Sequence, residues 1–353
     1  MDFSLSEERK MLQETVARFF ESNYQNINKR NENVNLPEGF CKNFWKESAE
    51  LGIISALVSP KFGGLGGDGD DISIIFELIG KSLCVEPFLA SGVLSSTILS
   101  SVSNPNLDLI NQIVEGKLLI AFAHTEMNNR YEDSFIENSA SLKDNKWCLN
   151  GTKSFVINGD TANKVIVSAR MDGDVNDKAG IGLFLVDNDQ IKNRSYNTVD
   201  GYRASELIFD TTKAELIARD NEALSCIIKA NSAGALALSA EALGIMETCF
   251  NLTLDYLKTR NQFGKSIGSF QSIQHRMVDM MLEIEQVKSA VMLASSTFEK
   301  DVISRDKNIS AAKNLVGRVG KLIAEETIQL HGGIAMTWEY SASHYAKRLI
   351  MID

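Results

Sequence analysis

The sequence predicts a mainly α protein with a central β domain, and three observations carry that expectation. Apolar residues keep helical spacing to about residue 117, short β-type runs replace them from 118 to 221, and long helical patterns return from 222 to 353. All four prolines (Pro37, Pro60, Pro87, Pro105) lie in the first third, so nothing beyond residue 105 carries the strongest helix breaker. Three domains follow: an N-terminal helical domain over 1–117, a middle β domain over 118–221 and a C-terminal helical bundle over 222–353.

In the first domain Ser4 and Glu7 form a capping-box pair, and Leu5, Leu12, Val16 and Phe19 share one helical face. Further apolar segments cover 43–56, 71–84 and 88–101, with a loop at 59–70, SPKFGGLGGDGD. The Gly63–Gly67 run in that loop follows no strand and lacks the Lys-Ser/Thr of a phosphate loop, so it reads as a turn. The middle domain is expected to build strands from LLIAFAHTE, KWCLNGTKSFVIN, KVIVSAR, IGLFLVD and ASELIFD, separated by turn-rich stretches such as KDNK and MDGDVND. In the last domain one nearly unbroken helical pattern covers 222–260. In a second pattern Ile273, Met277, Met280, Ile284, Val287 and Val291 alternate by four and three, which suits a helix bundle or an oligomer seam.

Composition excludes several functions. The net charge of -10 is spread without a basic block, which argues against nucleic acid or anionic lipid as partner. Five separated cysteines with no CxxC point to free thiols in a reducing compartment. The N-terminus resembles no targeting peptide and no apolar run approaches the ~18 residues of a membrane span, so the expected location is cytoplasmic, without membrane insertion. His124, His275, His331 and His344 lack metal-ligand spacing, so no metal is expected, and the absence of a GxSxG elbow leaves hydrolase chemistry without support.

Two stretches are informative. In residues 255–280, DYLKTRNQFGKSIGSFQSIQHRMVDM, an Arg, an aromatic and amides gather where two long helices meet. Arg260 offers a forked donor for a pyrophosphate, helix N-terminal amides add to it, and Gln271 and Gln274 can bond a ribose or adenine. Composition alone leaves an ordinary surface turn equally open. In residues 328–340, IQLHGGIAMTWEY, Gly332 and Gly333 permit left-handed backbone and close approach to a ligand, or simply end a helix.

Taken together these stretches resemble the acyl-CoA dehydrogenase family, in which Arg-x-x-Phe-Gly and Phe-Gln are followed much later by Gln before Gly-Gly. Here they read Arg260–Asn–Gln–Phe263–Gly264, Phe270–Gln271 and Gln329–Leu–His–Gly332–Gly333. LGIISALVSPKFGGLGG, AFAHTE and LNGTKSFVINGD extend the likeness over the whole chain. Within the family, AFAHTE followed by Arg130–Tyr131, GIGLFLVD, and the stretch from Gly332 to Asp353 are similar to the small subunit of pimeloyl-CoA dehydrogenase.

The resemblance implies FAD as cofactor, an acyl-CoA substrate, and electron-transferring flavoprotein as acceptor. It implies a homodimer or tetramer, or a hetero-oligomer with a large-subunit homologue. Arg260, Gln262, Phe263, Gln271, Gln329, Gly332 and Gly333 would grip the ADP half of a neighbour's FAD. Phe122, Thr125 and Phe155 would surround the flavin ring, with Thr125 bonding its pyrimidine portion and Phe155 replacing the usual Trp.

The sequence departs from the family at the reacting end. Ile157 stands where a hydroxyl residue near flavin N5 is usual, and Met127–Asn–Asn–Arg130–Tyr131–Glu132 replaces Pro-x-Ala-Gly-Ser-Asp. The reaction needs a desolvated carboxylate as base. Relatives place it on the long bundle helix, at the position of Gly234 here, or in a segment that would follow Asp353. Ala235 stands where many relatives carry Arg, and Glu241, Glu339 and Asp353 match no family role, so the catalytic residues are left unassigned. Three functions remain open: an α,β-dehydrogenase of acyl-CoA thioesters, a non-catalytic partner completing another subunit's FAD site, or an oxidase or monooxygenase on the same scaffold.

Overall fold

The computed structural model describes residues 5–24, 26–129 and 131–353. In chain order the helices are α1 Glu7–Asn23, α2 Ile27–Val34, α3 Lys42–Glu50, α4 Gly69–Ser82, α5 Ser96–Ser101, α6 Leu107–Val114, α7 Asp220–Thr259, α8 Gln271–Thr297, α9 Val302–His331 and α10 Ser341–Ile352. A π-helical segment, Phe88–Ser95, runs directly into α5. The strands are β1 Ile120–Ala123, β2 Ser139–Lys143, β3 Lys146–Ile157, β4 Lys164–Arg170, β5 Ile181–Asp187, β6 Lys192–Asn197, β7 Arg203–Arg219, β8 Asn261–Gln262 and β9 Lys265–Ser266.

Two compact units divide the chain. One holds residues up to Leu36, Asp68–Val85 and Ala235–Asp353, and the other Pro37–Gly67 and Glu86–Gly234. The first 117 residues therefore contribute to both.

The first unit is helical. Ser6 caps α1, its hydroxyl accepting from Arg9 N–H at 3.3 Å, while the expected cap Ser4 lies outside the described residues. Asp68 and Asp71 form a capping box on α4. Helices α4 and α7 cross at Gly80 and Gly244, where an added Cβ would run into the backbone carbonyls of Glu241 and Glu77 respectively, so only glycine permits that approach. On α8 the predicted stripe is buried at Met277, Met280, Ile284, Val287 and Val291, and Ile273 is half-buried.

Buried alanines and aliphatics line α7. By length and composition it is the one helix among the described residues that could cross a membrane, a candidate the sequence reading did not foresee, but it is a core helix of this fold.

The second unit carries a sheet ordered β1-β4-β2-β3-β7-β5, with β6 on β7. Parallel pairing of β1 with β4 sets Phe122 opposite Ile166. Ala121, Ala123, Val165, Val167, Ala169, Leu149 and Phe184 fill the apolar core of this sheet. Side chains alternate along a strand, so Phe122, His124 and Ser168 belong to the other face. Ser91 and Ser95 of the π-helical segment fasten to β1, bonding Ile120 N–H at 3.2 Å and C=O at 2.8 Å. Strands β2 and β6 were not foreseen: β6 is exposed throughout, β2 buries only Ala140, and pairing with β3 and β7 holds them.

Candidate flavin and thioester site

The end of α7 builds the first part of the site. Its last carbonyls are satisfied locally, Arg260 N–H donating to Tyr256 O at 2.8 Å and Ser266 Oγ–H to Leu257 O at 2.7 Å. Strands β8 and β9 then form a hairpin pairing Asn261 with Ser266 and Gln262 with Lys265. Its tip, Phe263 (φ 55°) and Gly264 (φ 80°), has two left-handed residues, the geometry of a type I′ turn. A side chain pays for that conformation, and the Phe263 ring is 90% exposed rather than buried in return. It stands edge-on to Phe270 at 6.2 Å, over which Lys265 Nζ lies at 4.3 Å.

Arg260, Gln262 and Gln271 are exposed, and their side chains have no partner among the described residues. Helix α8 begins at Gln271 without a side-chain cap, which leaves the Gln271 and Ser272 N–H groups open to an anion, while Ile273 N–H donates to Phe270 O at 3.0 Å. Gln274 is held toward its own chain, its amide N–H donating to Gly268 O at 3.0 Å.

The end of α9 lies at the same end of the bundle. The rings of Tyr256, one turn before Arg260, and His331 stand 4.6 Å apart. His331 Nδ1–H donates to Thr327 O at 2.8 Å, and burial holds its pKa below the ordinary value. Gln329, Gly332 and Gly333 are exposed, and a Cβ at either glycine would meet no atom within 4 Å. Gly332 ends α9 at φ 68°, a left-handed backbone that favours glycine. These open glycines, free amide side chains and an uncapped helix N-terminus around an unpaired guanidinium fit the diphosphate and adenosine of FAD.

The ring-side residues lie in the sheet unit. Ser154 N–H donates to Thr125 O at 2.8 Å, joining the end of β1 to β3. A bulge between Lys153 and Val156 turns Phe155 to φ 52° and leaves it 43% exposed. Thr125 is exposed, whereas Phe122 is buried, its ring stacked on His124 at 5.6 Å with 5° between planes. Ile157 is half-buried and offers no side-chain donor. Exposed Phe155 and Thr125 suit a planar heteroaromatic ring.

Sequence reasoning missed the buried network beneath these residues. Lys153 Nζ donates to Glu126 Oε1 at 2.6 Å, His124 O at 3.0 Å and Ser168 Oγ at 3.0 Å. Glu126 also accepts from Glu137 N–H at 2.7 Å and Asn138 N–H at 3.1 Å, fixing both ends of the loop that replaces the usual family sequence. Burial first, and then the Lys153 charge, push His124 down to about 3, so it is neutral. Because Ser168 Oγ accepts from Lys153, its own proton is free for His124 Nδ1 at 2.9 Å. A charged residue at an inward strand position within KSFVIN was the available signal.

The carboxylates left open by the sequence have definite places. Glu241 is 1% exposed and bound by Arg348, Oε1 to Nε at 2.6 Å and Oε2 to Nη2 at 2.9 Å, so neither oxygen is free. Glu339 is exposed, and Asp353 lies against Gly317. Gly234 is buried and faces Leu94. Arg130 lies outside the described residues.

Comparison with known proteins supports one family. Domain models described as acyl-CoA dehydrogenase N-terminal, middle and C-terminal domains match residues 6–104, 121–212 and 224–351. The chain is 30% identical over 295 residues to "Isovaleryl-CoA dehydrogenase, mitochondrial" of Pongo abelii, covering 78% of this chain and 68% of the relative. It is 28% identical over 347 residues to "Acyl-CoA dehydrogenase IpdE2" of Mycolicibacterium smegmatis, covering 98% and 93%. Among solved structures, "FAD complex of PigA" superposes with a TM-score of 0.89 at 25% identity, covering 100% of this chain and 94% of the other.

Proposed function

Because the chain belongs to the acyl-CoA dehydrogenase family, we propose that it acts in FAD-dependent α,β-dehydrogenation of an acyl-CoA thioester as one subunit of an oligomer. The observation that carries this reading is the α7–α8 turn, where the Arg260, Gln262 and Gln271 side chains are displayed without partners among the described residues and Phe263 stands exposed, beside two open glycines. A surface that its own chain does not use is suited to a neighbour's FAD.

When bound, FAD supplies the hydride acceptor for the β carbon of the thioester. The chain's residues supply position. Arg260 and the α8 N-terminus hold the diphosphate, Gln262, Gln271 and Gln329 bond the adenosine portion, and Gly332 and Gly333 let it approach the backbone. Phe155 and Phe122 bound the ring, and Thr125 bonds its pyrimidine edge. The Lys153–Glu126 pair ties β3 to the segment that follows β1 beneath them.

A second reading is favoured by a specific observation: Gly234 provides no base and Glu241 is consumed by Arg348. On that reading the chain is the non-catalytic half of a hetero-oligomer, like the small subunit of pimeloyl-CoA dehydrogenase, completing the FAD site of a large-subunit homologue. Electron-transferring flavoprotein as acceptor and a cytoplasmic setting belong to the same proposal, the latter supported by five free cysteines.

FAD binding by the chain alone and with its homologue, followed by mass analysis of acyl-CoA products, tests both readings. Loss of two hydrogens with the chain alone supports the independent enzyme, and loss only in the mixture supports the partner. Absence of bound flavin in both preparations would overturn both readings.

A further inference from the structure

We propose that a cavity in the sheet unit, sharing no residue with the flavin surfaces, binds an α-amino acid, with Arg203 taking its carboxylate and Asp160 its ammonium group.

The cavity has a volume of about 510 Å³ and lies between the start of α3, the turn after β3 and the first residue of β7. Pro37, Glu38, Lys42, Trp45, Asp160 and Arg203 are on its wall. All of them belong to the same compact unit, and the volume is in the range of small-molecule sites.

Arg203 reaches the cavity along a fixed path. The backbone at Gly39 is left-handed, φ 75°, and an added Cβ would lie 2.4 Å from Arg203 Cγ, so only glycine lets the arginine stem pass. The guanidinium then gives Nε, at 3.0 Å, and Nη2 to a single oxygen of Asp160, Oδ2. A guanidinium has five N–H groups, so Nη1 and the second N–H of Nη2 are left without a partner among the described residues. Those two groups make the end-on fork that matches a carboxylate. Asp160 is left half-used as well. Its side chain is only 7% exposed, and Oδ1 is buried with no partner, a setting that calls for a donor. Trp45 Nε1 is a further buried donor on this wall with no partner.

The charges select the ligand. Arg203 pairs with Asp160, Lys42 with Glu38, and the exposed Lys117, which also lines the cavity, with Glu115 at 2.7 Å. The cavity therefore offers ion pairs with open ends and no uncompensated charge. A plain anion would fill the Arg203 fork and leave Asp160 Oδ1 bare, and a plain cation would do the reverse. A zwitterion answers both ends of the Arg203–Asp160 pair and brings in no net charge. An α-amino acid carries its two charged groups on one carbon, and the remaining space, with Pro37 and Leu119 on its wall, holds the side chain.

Ligand-observed saturation-transfer NMR on the full chain in its assembled form tests this with L-alanine, L-leucine, L-phenylalanine and L-glutamate, and with acetate and ethylammonium as the two charged halves. At least one amino acid is expected to bind saturably and about tenfold more tightly than either half, the gain from adding one charge-assisted bond. Arg203→Lys keeps the charge but removes the fork, and should weaken that binding about tenfold. Lys117→Trp leaves the Arg203–Asp160 pair intact and fills the cavity from an exposed position, so it should abolish binding while circular dichroism stays unchanged. No saturable binding of any of the four amino acids, acetate binding as tightly as they do, or binding that survives Lys117→Trp would each overturn the proposal.

Discussion

Lys153 Nζ lies 2.6 Å from Glu126 Oε1 within the sheet unit, with side-chain exposures of 0% and 2%. A buried pair of this kind is costly to break from one side, because the remaining charge has no water to turn to. Glu126→Gln is expected to destabilise the protein by about 3–5 kcal/mol in urea unfolding, and replacement of both residues by apolar side chains to cost less than either single change. Equal costs for single and double variants would show that the pair acts only as volume.

The same lysine sets a pH dependence. Burial first, opposed by Glu126, brings its pKa from 10.5 to about 8. A depressed folded pKa gives a stability contribution that is complete above the unfolded value and is lost as pH falls through the folded one. Between pH 8 and 10.5 the wild type should therefore gain stability relative to Lys153→Met, and below pH 8 the gap should be flat. Melting curves over this range check the sign.

On α4, Asp71 is expected to act in the opposite direction. Burial and the neighbouring Asp68 carboxylate raise it from 3.8 to about 6, against the Arg9 guanidinium, whose Nε lies 3.0 Å from Asp71 Oδ1. Arg9 also pairs with Asp70 at 2.8 Å and with Asp68, and Asp70 accepts from Ser295, so three carboxylates share one guanidinium. A raised folded pKa means the contribution is complete below 3.8 and lost as pH rises through 6. Asp71→Asn should thus gain on the wild type in Tm between pH 3.8 and about 6 and hold a constant gap above that, and a gap independent of pH across this range would contradict it.

Arg260→Ala should weaken FAD binding by the assembled protein about 10- to 100-fold, the loss expected for a charge-assisted bond to a diphosphate. Its fold should be unchanged, because its side chain has no partner among the described residues. Flavin fluorescence titration, with circular dichroism as control, separates the two effects.

The helical and β rhythms were legible because burial imposes periods of 3.6 and 2 on apolar residues, and the α8 stripe from Met277 to Val291 is buried as that logic requires. The α7–α8 turn was legible because Arg260, Phe263 and Gly264 are close in sequence. Strand β6 was not, since KNRSYN is exposed throughout and takes its conformation from pairing with β7. Lys153 and Glu126 are polar residues at buried positions 27 residues apart, and only the pairing of distant segments brings them together. The winding of Phe88–Ser95 was hidden for a different reason: an apolar run reads as helix without revealing whether its bonds span four residues or five.

The most direct test of the shared flavin site is an anaerobic absorbance titration with saturated acyl-CoAs, performed on the assembled protein and on the same assembly carrying Arg260→Ala. Bleaching of bound flavin by the wild type, with flavin content and bleaching together reduced in the variant, is the result this account predicts. Flavin bound and bleached equally in both would contradict the placement of the ADP half on the α7–α8 turn.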